Sequence, residues 1–203
     1  MIKSKNELEQ KIISAIPKLE QFWELLLKWQ KSVNLISPNT ISIGWERHIL
    51  DSAQLYFLLN KKQEKLLDVG SGGGFPGIVI AILNQTLKGP LKEIVLVESD
   101  LKKSLFLQEC ARNLKLNIEV KRVRIESLSY KPNVITARAF APLGELLNLV
   151  KNNVSRETIL ILPKGKSVDE EIEQVGHQCK IEKIKNIVNP EGTILKIEEV
   201  KYG

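Results

Sequence analysis

Residues 65–82, KLLDVGSGGGFPGIVIAI, set an acidic residue and a cluster of glycines between two apolar runs. Two segments that both require burial, joined by residues that add almost no side chain, describe a strand, a tight turn and a helix entering one core. Glycines at the alternate positions 70, 72 and 74 let the backbone turn sharply at the strand end and approach a ligand with no Cβ in the way. In an open α/β sheet the space they leave lies beyond the carboxyl ends of the strands. Asp68, just ahead of them, is placed to accept from the loop's own amides and hold its shape.

The chain changes character at this loop. Before residue 65 the apolar spacing is helical: Phe22, Leu26, Trp29 and Val33 fall at i, i+4, i+7 and i+11, one face of a helix that begins near Pro17. A further helix is predicted from about Trp45 to Leu59, packed by Trp45, Ile49 and Leu50. On it Arg47 and Asp51 are spaced for an i, i+4 ion pair, and Arg47 and His48 are candidates to face a ligand pocket and close its mouth. After residue 65 the β-rich runs KLLDV, EIVLVE, IEVKRV, VITARA and TILILP alternate with helical stretches at 77–85, 101–116, 143–152 and 168–175. That alternation predicts a doubly wound parallel sheet with helices on both faces. CKIEKIKNIV and TILKIEEV are separated only by NPEG, too short for a parallel crossover, so they are predicted to pair as a hairpin that adds an antiparallel strand at the end of the sheet. The expected organisation is an N-terminal helical cap, residues 1–64, and an α/β domain, residues 65–203, in one compact unit.

A chain of 203 residues, 43% hydrophobic and 27% charged, can bury one sizeable core, which excludes wholesale disorder. No apolar run reaches membrane length, and MIKSKNELEQ is too charged for a signal-peptide core, which points to the cytoplasm. Cys110 and Cys179 have no CxxC or CxxxH neighbour, and His48 and His177 fit no HExxH pattern, so no metal site and no disulfide framework is expected. A net charge of +6 leans toward a polyanionic partner without deciding the matter. Nothing such as a heptad repeat demands a dimer, and a monomer is expected.

Three nucleotide-type ligands compete for the loop. An ATP-binding P-loop requires GxxxxGK[ST]; no lysine follows these glycines, and the later Gly165-Lys166-Ser167 has Leu160 where the first glycine should stand. A dinucleotide fingerprint GxGxxG does match from Gly72 to Gly77, but its frame is late, because the strand ends near Val69 and the first tight turn must come at Gly70. The third candidate, S-adenosylmethionine, has no pyrophosphate; it needs close backbone approach at the first loop and an acceptor for its ribose at the end of the second strand. Glu98 ends EIVLVE at that place, by analogy with the acidic residue of dinucleotide folds, and the alternative role for it is to cap the next helix with Ser99 and Asp100. The pattern favours the methyl donor.

Several segments together resemble one family. LLDVGSGGGFPGIVIAI is similar to the first motif of the RsmG (GidB) family of bacterial ribosomal RNA methyltransferases, a glycine loop followed by a bulky apolar residue and Pro-Gly. The resemblance continues upstream in NLISPNTISIGWERHILDSAQL and downstream in VESDLKKSLFLQECARNLKL and VITARAFAPLGELL, in the family's order and over most of the chain. It implies a class I methyltransferase fold, Rossmann-like, with S-adenosylmethionine as cofactor, and methylation of N7 of a guanine in the 530 loop of 16S rRNA, as naked rRNA or within the small ribosomal subunit. Carried over by position, the first motif, Gly70, Ser71, Gly72, Gly74 and Phe75, would hold the donor, Glu98 its ribose, and Ile125 with Glu126 in VRIESL its adenine. Arg138 in TARAFA would stand beside both donor and guanine as the catalytic residue. Two departures are visible: Glu98 stands where Asp is more usual, and EGTILKIEEV lacks an arginine that many members carry near that point.

Guanine N7 bears a lone pair and no proton, so its methylation demands no general base, in keeping with the lack of a catalytic His or Cys constellation. Catalysis would rest on orientation, an effect of roughly 7 to 11 kcal/mol. Arg138 suits guanine O6 or a phosphate with its planar fork; the alternative is an ion pair with Glu126 or Asp68 that orders the loop. Candidate RNA contacts are Arg47, Lys102, Lys103, the run Lys121-Arg122-Val123-Arg124, and Lys164 with Lys166, Lys164 being best placed at the end of the fifth strand. Phe75 and Phe140 can pack or stack a base. Three rivals stay open: a small-molecule or protein methyltransferase of the same fold, a nicotinamide-dependent oxidoreductase using Gly72 to Gly77, and a noncatalytic RNA-binding protein.

Overall fold

A computed structural model describes residues 2–176 and 178–202; His177, set apart above from any metal motif, lies outside the described residues. The N-terminal segment is helical, as its spacing requires. Helix α1, Lys5–Ile12, starts at Ser4, whose hydroxyl accepts the amide of Glu7, and α2, Ile16–Gln30, buries Leu19, Phe22 and Leu26. Val33 lies beyond the end of α2 rather than on it: Gln30 bonds the backbone of Leu35 and Ile36 through its amide group and fixes the chain's exit. The predicted 45–59 helix is a π-helical segment, Trp45–Leu50, running into α3, Asp51–Tyr56, and it buries Ile49 and Leu50. Such wide turns inside a helix recur at functional sites.

The remainder alternates as expected: β1 Lys65–Val69, α4 Gly77–Thr86, β2 Glu93–Val97, α5 Leu101–Asn113, β3 Glu119–Lys121, β4 Val134–Ala137, α6 Leu143–Leu149, β5 Ile159–Lys164, α7 Val168–Val175, β6 Lys180–Lys185 and β7 Thr193–Glu198. The sheet order is β3-β2-β1-β4-β5-β7-β6; the first five strands are parallel and β7 runs antiparallel to both of its neighbours. The hairpin therefore enters the sheet by its second strand, with β6 at the edge. Burial explains the choice. Ile194, Leu195 and Ile197 of β7 are buried, whereas β6 carries Lys180, Glu182, Lys183 and Lys185 exposed, the composition that blunts an unpaired edge.

Each face of the sheet has its own core. On one, Leu8, Phe22 and Ile49 of the N-terminal helices pack with Ile78 of α4 and Phe106 of α5; on the other, Leu143, Leu146 and Leu147 of α6 pack with Val168 and Val175 of α7. Helices thus lie on both faces, and the carboxyl ends of β1, β2 and β4 open toward the N-terminal helices.

Candidate active site

The loop after β1 is shaped by positive φ angles at Gly70 (66°), Gly72 (52°) and Gly74 (87°). A Cβ on Gly70 would lie 2.2 Å from the Phe140 ring, so that ring closes over the bare backbone. The loop is anchored from both ends. Asp68, fully buried, accepts the Thr136 hydroxyl at 2.7 Å and the Gly77 amide at 3.2 Å, tying β1 to β4 and to the start of α4. Through Gly77 it therefore holds the helix entry rather than the amides of the turn at 70–74. Burial pushes its carboxyl up to about 6, against the lowering effect of those bonds. Ser71 turns its amide to the Val97 carbonyl and its hydroxyl to the Asp68 carbonyl.

Around this loop lies a cleft of about 680 Å³, within the range of small-ligand sites. Gly70, Ser71, Gly72, Phe75, Glu98, Ile125, Glu126 and Arg138 all line it. Gly74 does not: a Cβ there would meet Ile78 at 2.7 Å, so its bareness serves the packing of α4. Gly73 takes its place in the wall, with its Cβ direction blocked at 2.9 Å by the Leu35 carbonyl, an approach between segments that nothing in the local sequence signals. Glu98 is buried and accepts the Gly72 and Asp100 amides, each at 2.9 Å, while Asp100 caps α5. It both braces the loop and faces the cleft, with acceptor capacity left on its oxygens.

Across the cleft the wall is made of side chains. Arg138 donates from Nη2 to the Arg47 carbonyl at 2.7 Å and to His48 Nδ1 at 3.1 Å, and its guanidinium carbon sits 5.8 Å from the Phe75 ring centre. An arginine has no acceptor, so His48 Nδ1 is unprotonated and Nε2 carries the hydrogen, donated to Thr40 Oγ1 at 2.8 Å; that hydroxyl donates to the Ser37 carbonyl. Burial, reinforced by the Arg138 and Arg47 charges, holds His48 near 3, and its ring stacks on Phe75 with centres 5.0 Å apart. Arg138 faces Asp51 at 3.7 Å, not Glu126 or Asp68, and burial lowers its own pKa. Asp51 is buried and bonded by Gln54 and Asn186, whereas Arg47 is exposed, so the i, i+4 pair expected between Arg47 and Asp51 does not form. Asn186 is the contributor that sequence reasoning missed; it lies 135 residues from Asp51.

The basic candidates separate by position. Arg47 lines the cleft, joined by Lys103 and Arg124, while Arg122 is exposed outside it. Lys164 is not a free cation at the ligand edge: its side chain is 11% exposed, bonded to Glu171 at 2.7 Å and to the Ala141 carbonyl at 3.1 Å. It lines a second pocket of about 380 Å³ that shares Arg47, Arg138, Ala139, Phe140 and Ala141 with the main cleft. Lys166 pairs with Glu191 and Lys121 with Glu119. Phe140 is 40% exposed, whereas Phe75 is buried. Among the described residues, no group of three or more His, Cys, Asp or Glu side chains could hold a metal ion, and no helix is long and apolar enough to cross a membrane. Cys110 is buried and Cys179 half-buried, both free.

Comparison with known proteins agrees with this geometry. Residues 15–194 match the GidB family, described as rRNA small subunit methyltransferase G. A ribosomal RNA small subunit methyltransferase G from Jannaschia sp. is 39% identical over 182 residues, covering 88% of this chain and 86% of the relative. Among solved structures, a ribosomal protein L11 methylase from Lactobacillus delbrueckii subsp. bulgaricus superposes with a TM-score of 0.61 at 18% identity, over 77% of this chain and 79% of that one. A SAM-dependent methyltransferase from Aquifex aeolicus gives 0.57 at 16% identity, over 85% and 97%. The fold is that of class I methyltransferases. By the match to its profile over nearly the whole chain, this protein belongs to the rRNA small subunit methyltransferase G family.

Proposed function

We propose that this methyltransferase takes S-adenosylmethionine in the main cleft and methylates N7 of a guanine in the 530 loop of 16S rRNA. The observation that carries the reading is the junction of the two pockets, where Arg138 lines both and its Nη1 is buried with no hydrogen-bond partner among the described residues. The residues present fit the donor. Gly70, Gly72 and Gly73 present bare backbone in the wall of the cleft, and Glu98 has oxygen lone pairs beyond the two amides it accepts.

Bound S-adenosylmethionine supplies a methyl group activated by a sulfonium sulfur. Of the residues that line the cleft, Glu98 would accept from the donor's ribose, Ile125 and Glu126 would hold its adenine, and Gly70 and Phe75 would shape the space beside them. The incoming guanine needs no deprotonation, and His48 is not set up as a base: both its ring nitrogens are engaged, and its depressed pKa makes it a poor proton acceptor. Arg138, fixed by the Arg47 carbonyl, His48 and Asp51, orients the base. Orientation of this kind accounts for roughly 7 to 11 kcal/mol of barrier in well-placed systems. Arg47, Lys103 and Arg124 at the cleft serve the RNA backbone, and residues 1–64 act as a cap that delivers Arg47 and His48.

The test is transfer of label from S-adenosylmethionine to small ribosomal subunits from cells lacking this activity, followed by mapping of the modified base. Label at N7 of the 530-loop guanine, abolished by Arg138→Lys, is the expected result. Donor binding without label in rRNA would move the substrate to proteins or small molecules.

A further inference from the structure

Two side chains that line the second pocket, Arg138 and Asp51, keep hydrogen-bonding capacity that the fold does not use. Asp51 and Arg138 line it with side chains 5% and 13% exposed, their Oδ2 and Nε atoms 3.7 Å apart. Asp51 Oδ1 is committed to Gln54 at 3.0 Å and Asn186 at 2.7 Å, while Oδ2 accepts no hydrogen bond among the described residues. Both Nη2 hydrogens of Arg138 are used, on the Arg47 carbonyl and His48, and Nη1 has no partner. A buried donor without a hydrogen bond, and a carboxylate oxygen that faces only the Arg138 charge, are both met by a ligand that offers an acceptor next to a donor.

We propose that Asp51 and Arg138 together read the Watson–Crick edge of the target base, Arg138 Nη1 donating to O6 and Asp51 Oδ2 accepting from N1–H. The inference rests on the guanine-methylation reading above and adds the basis of its selectivity. A 6-oxopurine presents O6 as acceptor beside N1–H as donor. Adenine reverses both polarities, setting an amino group against Nη1 and a lone pair against Oδ2. Extruded bases are read by this edge in other enzymes that act on single bases. Engaging it leaves N7, on the opposite edge of the purine, free to face the main cleft, which joins this pocket at Arg138 and Phe140. Asn186, just past β6, and Gln54 of α3 are positioning residues that hold the carboxylate.

The experiment uses the wild-type protein and reconstituted small subunits whose target guanosine is replaced by inosine, 2-aminopurine riboside or adenosine, all of which retain N7. Inosine keeps O6 and N1–H and is expected to be methylated within about 5-fold of guanosine, whereas 2-aminopurine and adenine are expected to lose about 5- to 150-fold in kcat/KM, the range for one well-made base contact. Comparable transfer to 2-aminopurine and guanine would overturn the inference while leaving the function intact; no transfer to guanine itself would overturn the function. Asp51→Asn supplies the second arm. It is expected to narrow the guanine to 2-aminopurine ratio while donor binding is retained, and an unchanged ratio counts against the assignment. Should the variant fail to fold, the base series on the wild-type protein decides alone.

Discussion

The two walls of the main cleft are built by opposite means. The sheet-side wall is backbone: the loop after β1, with its Gly72 amide held by Glu98 and its following helix held by Asp68, so that one continuous stretch and the ends of the adjacent strands β2 and β4 make it. The cap-side wall is made of side chains, Arg138 and His48, with Asp51, Gln54 and Asn186 as a polar cluster behind Arg138, drawn from three segments far apart in the chain. Such a backbone wall leaves no room for a Cβ at Gly70 or Gly73. A side-chain wall instead fails by leaving a charge or a donor without its partner.

The comparison can be broken most sharply at Arg138. Arg138→Ala leaves Asp51 without its cation, and loss of one partner of a buried pair costs about 3–5 kcal/mol, to be read from urea unfolding. A loss under about 1 kcal/mol would mean that the cap-side wall is not held by charge. Next comes Gly70→Asp, which forces a side chain into the Phe140 ring at a φ of 66°. Donor affinity is expected to fall by at least ~100-fold in calorimetric titration, with the melting transition still cooperative; retained affinity would show that the loop is not a fixed template.

Protonation offers a third contrast. The pKa of Asp68 in the fold, about 6, lies above its ordinary value of 3.8, so the native state binds the extra proton in that window and this group makes stability fall as pH rises through it. His48 is depressed from 6.5 to about 3, the native state binds fewer protons there, and stability rises with pH over that range. The two walls thus oppose each other between about pH 4 and 6. Asp68→Asn removes one side, and stability in that window should climb more steeply with pH than in wild type, by up to about 1.4 kcal/mol per pH unit. A slope equal to wild type would show that Asp68 does not titrate differently on folding. The smallest effect is expected at the rim: Arg124→Ala should weaken small-subunit binding a few-fold and lower its salt dependence by about one counterion, while Arg122→Ala, outside the cleft, changes neither.

What was legible in the sequence follows the same division. The glycine loop, Glu98 and the strand–helix alternation depend on neighbours within one βαβ unit, and local spacing revealed them. The bracing of Lys164 by Glu171 was not foreseen, although only 7 residues separate them, because a lysine after a strand reads equally well as a ligand contact until α7 is folded back onto it. The place of β7 beside β5 was hidden because the NPEG turn dictates pairing within the hairpin and says nothing about which strand docks. The partner of Arg138 is not legible in the sequence, because Glu126 and Asp68 lie near the glycine loop whereas Asp51 comes from the cap and is fixed by Asn186.

That last contact bears on the order in which the enzyme becomes competent. Asp51 and Asn186 are separated by 135 residues, and closures of such span lag behind local ones when a chain refolds. The sheet-side wall needs only neighbouring strands. In a refolding time course, donor binding should therefore return before base selectivity, and an immature molecule that already carries S-adenosylmethionine would still be blind to which base it meets.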